Sequence, residues 1–315
     1  MKNFALIGAA GYIAVRHMQA IKETGNVLIA ALDKFDSVGI IDSYFPDADF
    51  FTEYERFDRH IDKLRHYENK RIDYVSICTP NYLHDAHIRF ALKQQADAVC
   101  EKPLVLNPWN VEALGEVERE TGRKINNILQ LRLHPNIIKL KQEVDNSPKD
   151  KVYDIDLTYL TSRGRWYFIS WKGDIQKAGG VATNIGVHFF DMLTWIFGDV
   201  KENIVHISEN AKAAGYLKLE KANVRWFLSV DYKNIPDNIK EKGQRIYRSI
   251  TVDGNEIEFS GGFTDLHTLS YQEILKGNGF GLNAVKSTIQ TVYDIRNAVP
   301  VGIKGDYHPL LKETK

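Results

Sequence analysis

A buried apolar run, Phe4-Ala5-Leu6-Ile7, passes directly into Gly8-Ala9-Ala10-Gly11-Tyr12-Ile13-Ala14 and then into a helical pattern ending near Gly25. Few folds place two glycines at the turn between a buried strand and a helix. The doubly wound parallel sheet does. Glycine there lets the backbone approach a pyrophosphate, and the helix N-terminus supplies N–H donors and the positive end of its dipole. The usual spacing is G-x-G-x-x-G; this chain has G-x-x-G-x-x-A, one residue longer. A second strand, Val27 to Leu32, is closed by Asp33, 25 residues after Gly8. A carboxylate at that place accepts hydrogen bonds from a ribose diol and repels a 2′-phosphate, favouring NAD over NADP. The glycines alone fit a tight turn without ligand, but strand, loop, helix and acid in this order point to a bound dinucleotide.

The same alternation continues. Asp49-Phe50-Phe51 is a weaker third strand, and Phe57, Ile61, Leu64 and Tyr67 recur at helical spacing. Tyr74 to Cys78 predicts a fourth strand, broken by Thr79-Pro80-Asn81, and Ala98-Val99-Cys100 a fifth, followed by Glu101-Lys102-Pro103. Asn107-Pro108 opens a helix that Gly122 closes, and Ile125 to Leu129 is a sixth strand. Beyond about residue 150 the pattern changes. Val152 to Thr161 alternates, with Tyr153, Ile155, Leu157 and Tyr159 on one face. A helix is predicted from about Asn184 to Phe197, stopping at Gly198. Strand-like runs follow near 202–209, 214–220, 222–231 and 244–252, then an Asp253-Gly254 hairpin turn into Glu256–Phe259, and a helix from about Leu282 to Asn297. The expectation is an α/β chain: an N-terminal Rossmann-type doubly wound parallel sheet over 1–128, then an α+β domain over 129–315 with a mostly antiparallel open-faced sheet. A length of 315 residues suits two domains.

Charge narrows the function. Lys plus Arg equals Asp plus Glu at 41 each, so the basic excess of a polyanion-coating nucleic-acid binder is absent. The apolar runs fall well short of the ~20 residues of a membrane span. Met1-Lys2-Asn3-Phe4 shows no secretory leader, and the two cysteines, Cys78 and Cys100, each end an apolar run as buried thiols of a reducing compartment would. A cytoplasmic enzyme is expected. His84 and His87 flank Asp85 without a Cys pair or HExxH pattern, so no metal is expected.

Three groups could carry chemistry. Thr79-Pro80-Asn81 and Glu101-Lys102-Pro103 both follow parallel strands, where open α/β sheets bind ligands, and Lys102 is a polar group at that edge. A surface ion pair is the plainer reading of Glu101-Lys102. Asn184, His188 and Asp191 stand at i, i+4 and i+7, on one face of the predicted helix, behind Gly179-Gly180. Histidine, with an unperturbed pKa of about 6.5, suits proton transfer near neutral pH, although a hydrogen-bonded core histidine fits the spacing too. Arg163 to Lys172 packs three cations (Arg163, Arg165, Lys172) and four aromatics (Trp166, Tyr167, Phe168, Trp171) into ten residues. That suits an anionic ligand with flat or sugar-like faces, or an oligomer contact.

These residues, in this order, resemble the glucose-fructose oxidoreductase/inositol dehydrogenase/MocA family over nearly the whole chain. The marks are Gly8 to Ala14, Glu101-Lys102-Pro103, and Gly179-Gly180…Asn184…His188…Asp191. The resemblance implies a Rossmann domain followed by an α/β domain whose sheet forms interfaces in homo-oligomers, dimers or tetramers. It implies that Lys102 and His188 are the catalytic pair, with Asn184 where the family often carries Asp. An amide can orient or hydrogen-bond but cannot take the proton. Cofactor contacts then fall on Gly8, Ala10, Gly11, Tyr12, Ile13 and Asp33, and on Thr79, Pro80, Asn81, His84, Glu101 and Lys102. Within the family the lengthened glycine loop, Tyr74–His84, Asn127–Arg132, Ser162–Asp174 and Val181–His188 are similar to the UDP-N-acetyl-2-amino-2-deoxy-D-glucuronate 3-dehydrogenases of bacterial O-antigen and lipopolysaccharide synthesis. That subgroup also carries the asparagine. The implied reaction is oxidation of the sugar C3 hydroxyl by NAD, with NADH recycled in some members by 2-oxoglutarate. Arg132, Arg163, Arg165, Trp166, Tyr167, Trp171, Lys172, Asn184 and His188 are the implied substrate contacts, the cations for the carboxylate and diphosphate. Whether His188 or Lys102 accepts the proton stays open. A polyol dehydrogenase of the inositol type, or a silent NAD-binding sensor, are the alternatives.

Overall fold

The computed structural model describes residues 1–67, 70–257 and 265–312. Its first unit begins with β1 (Asn3–Ile7), α1 (Ala14–Glu23), β2 (Val27–Leu32), β3 (Asp49–Phe51) and α2 (Tyr54–Leu64). It continues with β4 (Tyr74–Ile77), α3 (His84–Lys93), β5 (Asp97–Cys100), α4 (Pro108–Thr121) and β6 (Ile125–Asn127). The six strands form one parallel sheet in the order β3-β2-β1-β4-β5-β6. Continuous apolar runs make its central strands because a sheet covered on both faces has no solvent side. α4 starts on Pro108 and ends on Gly122 in the left-handed region, φ 68°, as its sequence predicts. The strand order reverses between β1 and β4, the place where such sheets bind ligands. The loops meeting there are the glycine loop and Cys78–Asn81.

The second unit opens with α5 (Pro135–Asp145), β7 (Tyr153–Thr161), α6 (Trp166–Ile169), α7 (Ile175–Ala178), α8 (Gly180–Asn184) and α9 (Val187–Phe197). β8 (Val200–Ser208), β9 (Lys212–Leu219), β10 (Ala222–Ser229), α10 (Asp237–Lys240), β11 (Ile246–Val252) and β12 (Asn255–Glu256) follow. Its sheet runs β12-β11-β7-β10-β9-β8. It is mixed: β7 and β10 pair in parallel, from Tyr153 opposite Ala222 to Leu160 opposite Ser229, and the other neighbours are antiparallel. A parallel pair needs a long crossover, and α6 to β9 supply it. Ile155, Leu157, Trp226 and Leu228 face Phe190, Leu193 and Phe197 in one core cluster. Leu160, Ala214 and Phe227 pack with Leu311 in another. The predicted strand Glu256–Phe259 lies partly outside the described residues.

Two differences from the sequence reading matter. The helix expected over 184–197 begins three residues later, as α9 at Val187, while Asn184 ends the separate short helix α8. Between them a Cβ on Gly186 would lie 2.5 Å from both the Ala182 carbonyl oxygen and Leu228 Cδ1, so that position has room only for glycine. Second, α11 (Leu266–Leu275) and the chain up to Lys286, within α12 (Leu282–Asn297), belong to the first unit and not to the domain begun at 129. Tyr271 and Ile274 of α11 join Phe4, Met18 and Ile21 in one core. Among the described residues no helix is long and apolar enough to cross a membrane.

Candidate functional site

The glycine loop is shaped by its neighbour strand. Gly8 has φ 94°, and a Cβ on it would come within 2.7 Å of the Cys78 carbonyl carbon, so both conformation and space demand glycine. The Gly8 amide donates to the Leu32 carbonyl at 2.8 Å. α1 begins without any side-chain cap and with no acid in its first turn, leaving its amide end open to an anion. Tyr12 is 94% exposed on the loop.

Asp33 is held in place from both sides. Its Oδ2 accepts the Ala10 amide at 2.9 Å and its Oδ1 the Phe35 amide at 2.9 Å. Each oxygen keeps a lone pair for a ribose hydroxyl, so the carboxylate is aimed but not consumed. Open helix end, close-packed glycine loop and poised carboxylate fit a dinucleotide.

The loops after β4 and β5 are tied together by His84. Its ring is fully buried, with Nδ1 2.7 Å from the Pro103 carbonyl oxygen and Nε2 2.9 Å from that of Thr79. Burial pushes its pKa down, so the neutral ring donates to one carbonyl and lies close to the other. The His84 ring, proposed by sequence as a cofactor contact, is thus turned into the protein, between the two loops. Thr79 Oγ1 is 3.0 Å from His87 Nδ1. Burial drives His87 down to about 4.

The Glu101 side chain is likewise engaged by the protein. Its buried carboxylate turns inward, Oε1 lying 3.0 Å from His17 Nε2 and 2.9 Å from His267 Nε2, while Oε2 accepts the Lys102 amide at 3.2 Å. Burial alone would raise its pKa, but the two imidazole donors hold it well below the usual carboxylate range. His17, Glu101 and His267 also have metal-ligand spacing, with donor atoms within 4.8 Å of one another. Their hydrogen bonds are already complementary without an ion: His17 Nδ1 lies 2.7 Å from Tyr271 Oη, which lies 2.6 Å from Ser76 Oγ. Neither His17 nor α11 was singled out by sequence; a helix some 165 residues downstream leaves no local signal.

In the second unit, His188 is half-buried while every residue from Val181 to Val187 is buried, so the first turn of α9 opens to the surface at this imidazole. Asn184 ends α8, while His188 and Asp191 stand three residues apart within α9. Asn184, buried, donates through Nδ2 to Tyr167 Oη at 2.8 Å and so fixes the aromatic segment against α8. Asp191 is 1% exposed and takes a bidentate pair from Arg132, at 2.9 and 2.7 Å, plus the Thr288 hydroxyl at 3.0 Å. Arg132 and buried Tyr167, both proposed by sequence as substrate contacts, are each bonded to another side chain of the unit. Arg163 and Trp171 are half-buried, Arg165 and Trp166 exposed, and Lys172 Nζ sits 4.0 Å from the Trp171 ring centroid.

Comparison with known proteins supplies context for this geometry. A family model described as an oxidoreductase family, NAD-binding Rossmann fold, matches residues 2–128, and its C-terminal alpha/beta domain matches 150–238. The WlbA (WbpB) dehydrogenase of Thermus thermophilus, crystallised with NAD and alpha-ketoglutarate, is 48% identical, with TM-score 0.95 over 98% of this chain and 99% of that one. The same dehydrogenase with NAD and UDP-GlcNAcA superposes at TM-score 0.94 and 47% identity, over 98% and 99% of the two chains. Inositol 2-dehydrogenase of Rhizobium meliloti (strain 1021) is 27% identical over 201 residues, 62% of this chain and 55% of that protein. The first curated relatives are matched over 31% to 65% of their own lengths.

Proposed function

This chain belongs to the GFO/IDH/MocA family of NAD-dependent oxidoreductases, and from that premise we propose that it oxidises the C3 hydroxyl of UDP-N-acetyl-2-amino-2-deoxy-D-glucuronate to the 3-keto sugar, a step of bacterial surface-polysaccharide synthesis. The observation that carries the proposal is the near-complete superposition, at 47% identity, on a dehydrogenase crystallised with NAD and UDP-GlcNAcA.

The residues take the following roles in this reading. The glycine loop and the open end of α1 receive the pyrophosphate, and Asp33 accepts the adenosine ribose hydroxyls. Bound NAD supplies the hydride acceptor. As the C3–H bond breaks with its electron pair, the hydroxyl proton must leave and a C=O bond forms. His188 takes that proton, its half-buried position leaving the imidazole accessible from the surface. Lys102 donates a hydrogen bond to the same oxygen. Arg163, Arg165 and Lys172 meet the carboxylate and diphosphate, and Asn184 acts indirectly by fixing Tyr167. Reduction of 2-oxoglutarate to 2-hydroxyglutarate returns the hydride and a proton and restores NAD. A cytoplasmic homo-oligomer completes the reading; light scattering and cell fractionation test that part.

The decisive experiment incubates purified protein with NAD and UDP-N-acetylglucosaminuronate, with and without 2-oxoglutarate, following NADH and the sugar product. UDP-N-acetylglucosamine and myo-inositol run alongside. Turnover of the uronate alone is expected. Oxidation of inositol without the uronate would replace this reading with a polyol dehydrogenase. Full turnover by His188→Asn would remove the histidine as proton acceptor.

A further inference from the structure

We propose that His17 and His267 are positioning residues for Lys102, acting through the carboxylate of Glu101; the proposal rests on Lys102 touching the reacting oxygen, as above.

The hydrogen-bond chain behind Lys102 has one consistent set of protons. A carboxylate only accepts, so both imidazoles must present N–H at Nε2 to Glu101 Oε1. Burial lowers the pKa of His17 and keeps it neutral, so its Nδ1 is an acceptor. Tyr271 Oη must then donate to it at 2.7 Å, and Ser76 Oγ must donate to Tyr271 at 2.6 Å. Every one of these protons has a single direction, and each member is buried. Such a network resists rearrangement because each reversal would leave a buried group unpaired.

The network ends on the peptide that carries Lys102. Glu101 Oε2 accepts the Lys102 amide, and the Glu101 amide donates to the Ile77 carbonyl at 3.0 Å. Asn127 Nδ2 donates to the Glu101 carbonyl at 3.1 Å. On the far side of Lys102, His84 Nδ1 lies 2.7 Å from the Pro103 carbonyl oxygen. The amide of Lys102 is thus held by the Glu101 carboxylate, which His17 and His267 hold in turn. α1 and α11 pack together here, the His17 and His267 rings meeting edge to face at 5.2 Å. A helix distant in sequence thus supplies one of the two imidazoles behind the Lys102 peptide.

His267→Leu removes one donor at similar size, and His267→Gln restores an N–H. In protein that folds by circular dichroism, His267→Leu is expected to lower kcat about tenfold or more, with KM for the sugar and Kd for NADH nearly unchanged. His267→Gln is expected to recover most of kcat. Tyr271→Phe, which withdraws the donor to His17, is expected to give a smaller fall in kcat with the same unchanged Kd. It decides the matter if His267→Leu does not fold. Normal kcat in His267→Leu with only a lowered Tm, or in Tyr271→Phe where that variant decides, would make the network purely structural and overturn the proposal. Lys102→Ala is the separate control. If it keeps full turnover, the reading of Lys102 fails, and the proposal with it. If it is dead while His267→Leu is normal, only the positioning role fails.

Discussion

Each unit buries one carboxylate that is central to its polar interior, and the two are satisfied differently. Asp191 in the second unit is matched by a cation, the forked guanidinium of Arg132. Glu101 in the first is matched by three N–H donors, two imidazoles and an amide. An ion pair is an all-or-none bolt: remove one partner and a charge is stranded. Several separate donors share the load and transmit position to what they hold, which suits the back of a ligand site.

The largest expected effect tests the bolt. Arg132→Leu should cost about 3–5 kcal/mol in urea unfolding, since it strands Asp191 in the core. A loss below about 1 kcal/mol would show that Asp191 sheds its charge or finds another donor. Next comes acid. His87, driven down to about 4 by burial, is neutral when folded near neutral pH. The unfolded chain takes up a proton first, near pH 6.5, so this contribution is intact above that value and lost as pH falls toward 4. The loss is on the order of 3 kcal/mol. His308 in the second unit, also held at about 4 by burial, has the same sign. The measurement is therefore the difference between wild type and His87→Gln, whose stability should fall less steeply over this window. An identical slope would remove His87 from the account.

Smaller effects concern binding and the surface. Asp33→Ala should weaken NAD about tenfold, roughly 1.4 kcal/mol, and narrow its preference over NADP, read by titration of both nucleotides. An untouched preference would displace Asp33 from the ribose. Arg56→Ala, breaking an exposed pair with Glu53 at 3.4 Å, should change stability by less than about 0.5 kcal/mol. A larger change would mean that surface pairs rival the interior ones.

Local chemistry made much of this legible. Gly8, Asp33, Pro108 and Gly122 announce a strand-loop-helix unit because each occupies a position whose backbone angle or hydrogen bond few other residues satisfy. Alternation at Tyr153–Thr161 marked a strand with unlike faces. The need for glycine at 186 was invisible because it arises from the nearness of Leu228, in β10. The commitment of Arg132 to Asp191 and the placement of His84 between two carbonyls were equally hidden, since a charged or polar side chain reads alike whether it meets ligand or protein.

The sequence by itself determined the parallel sheet, its dinucleotide loop, the acid on β2 and the candidacy of Lys102 and His188. These follow from periodicity and from residues whose conformational needs are local. Only the tertiary structure decided that α11 belongs with the first unit, that β7 and β10 run parallel, and that Glu101 faces two imidazoles rather than a ligand. Those outcomes depend on which distant groups can pair once both are removed from water, and no spacing along the chain encodes that choice.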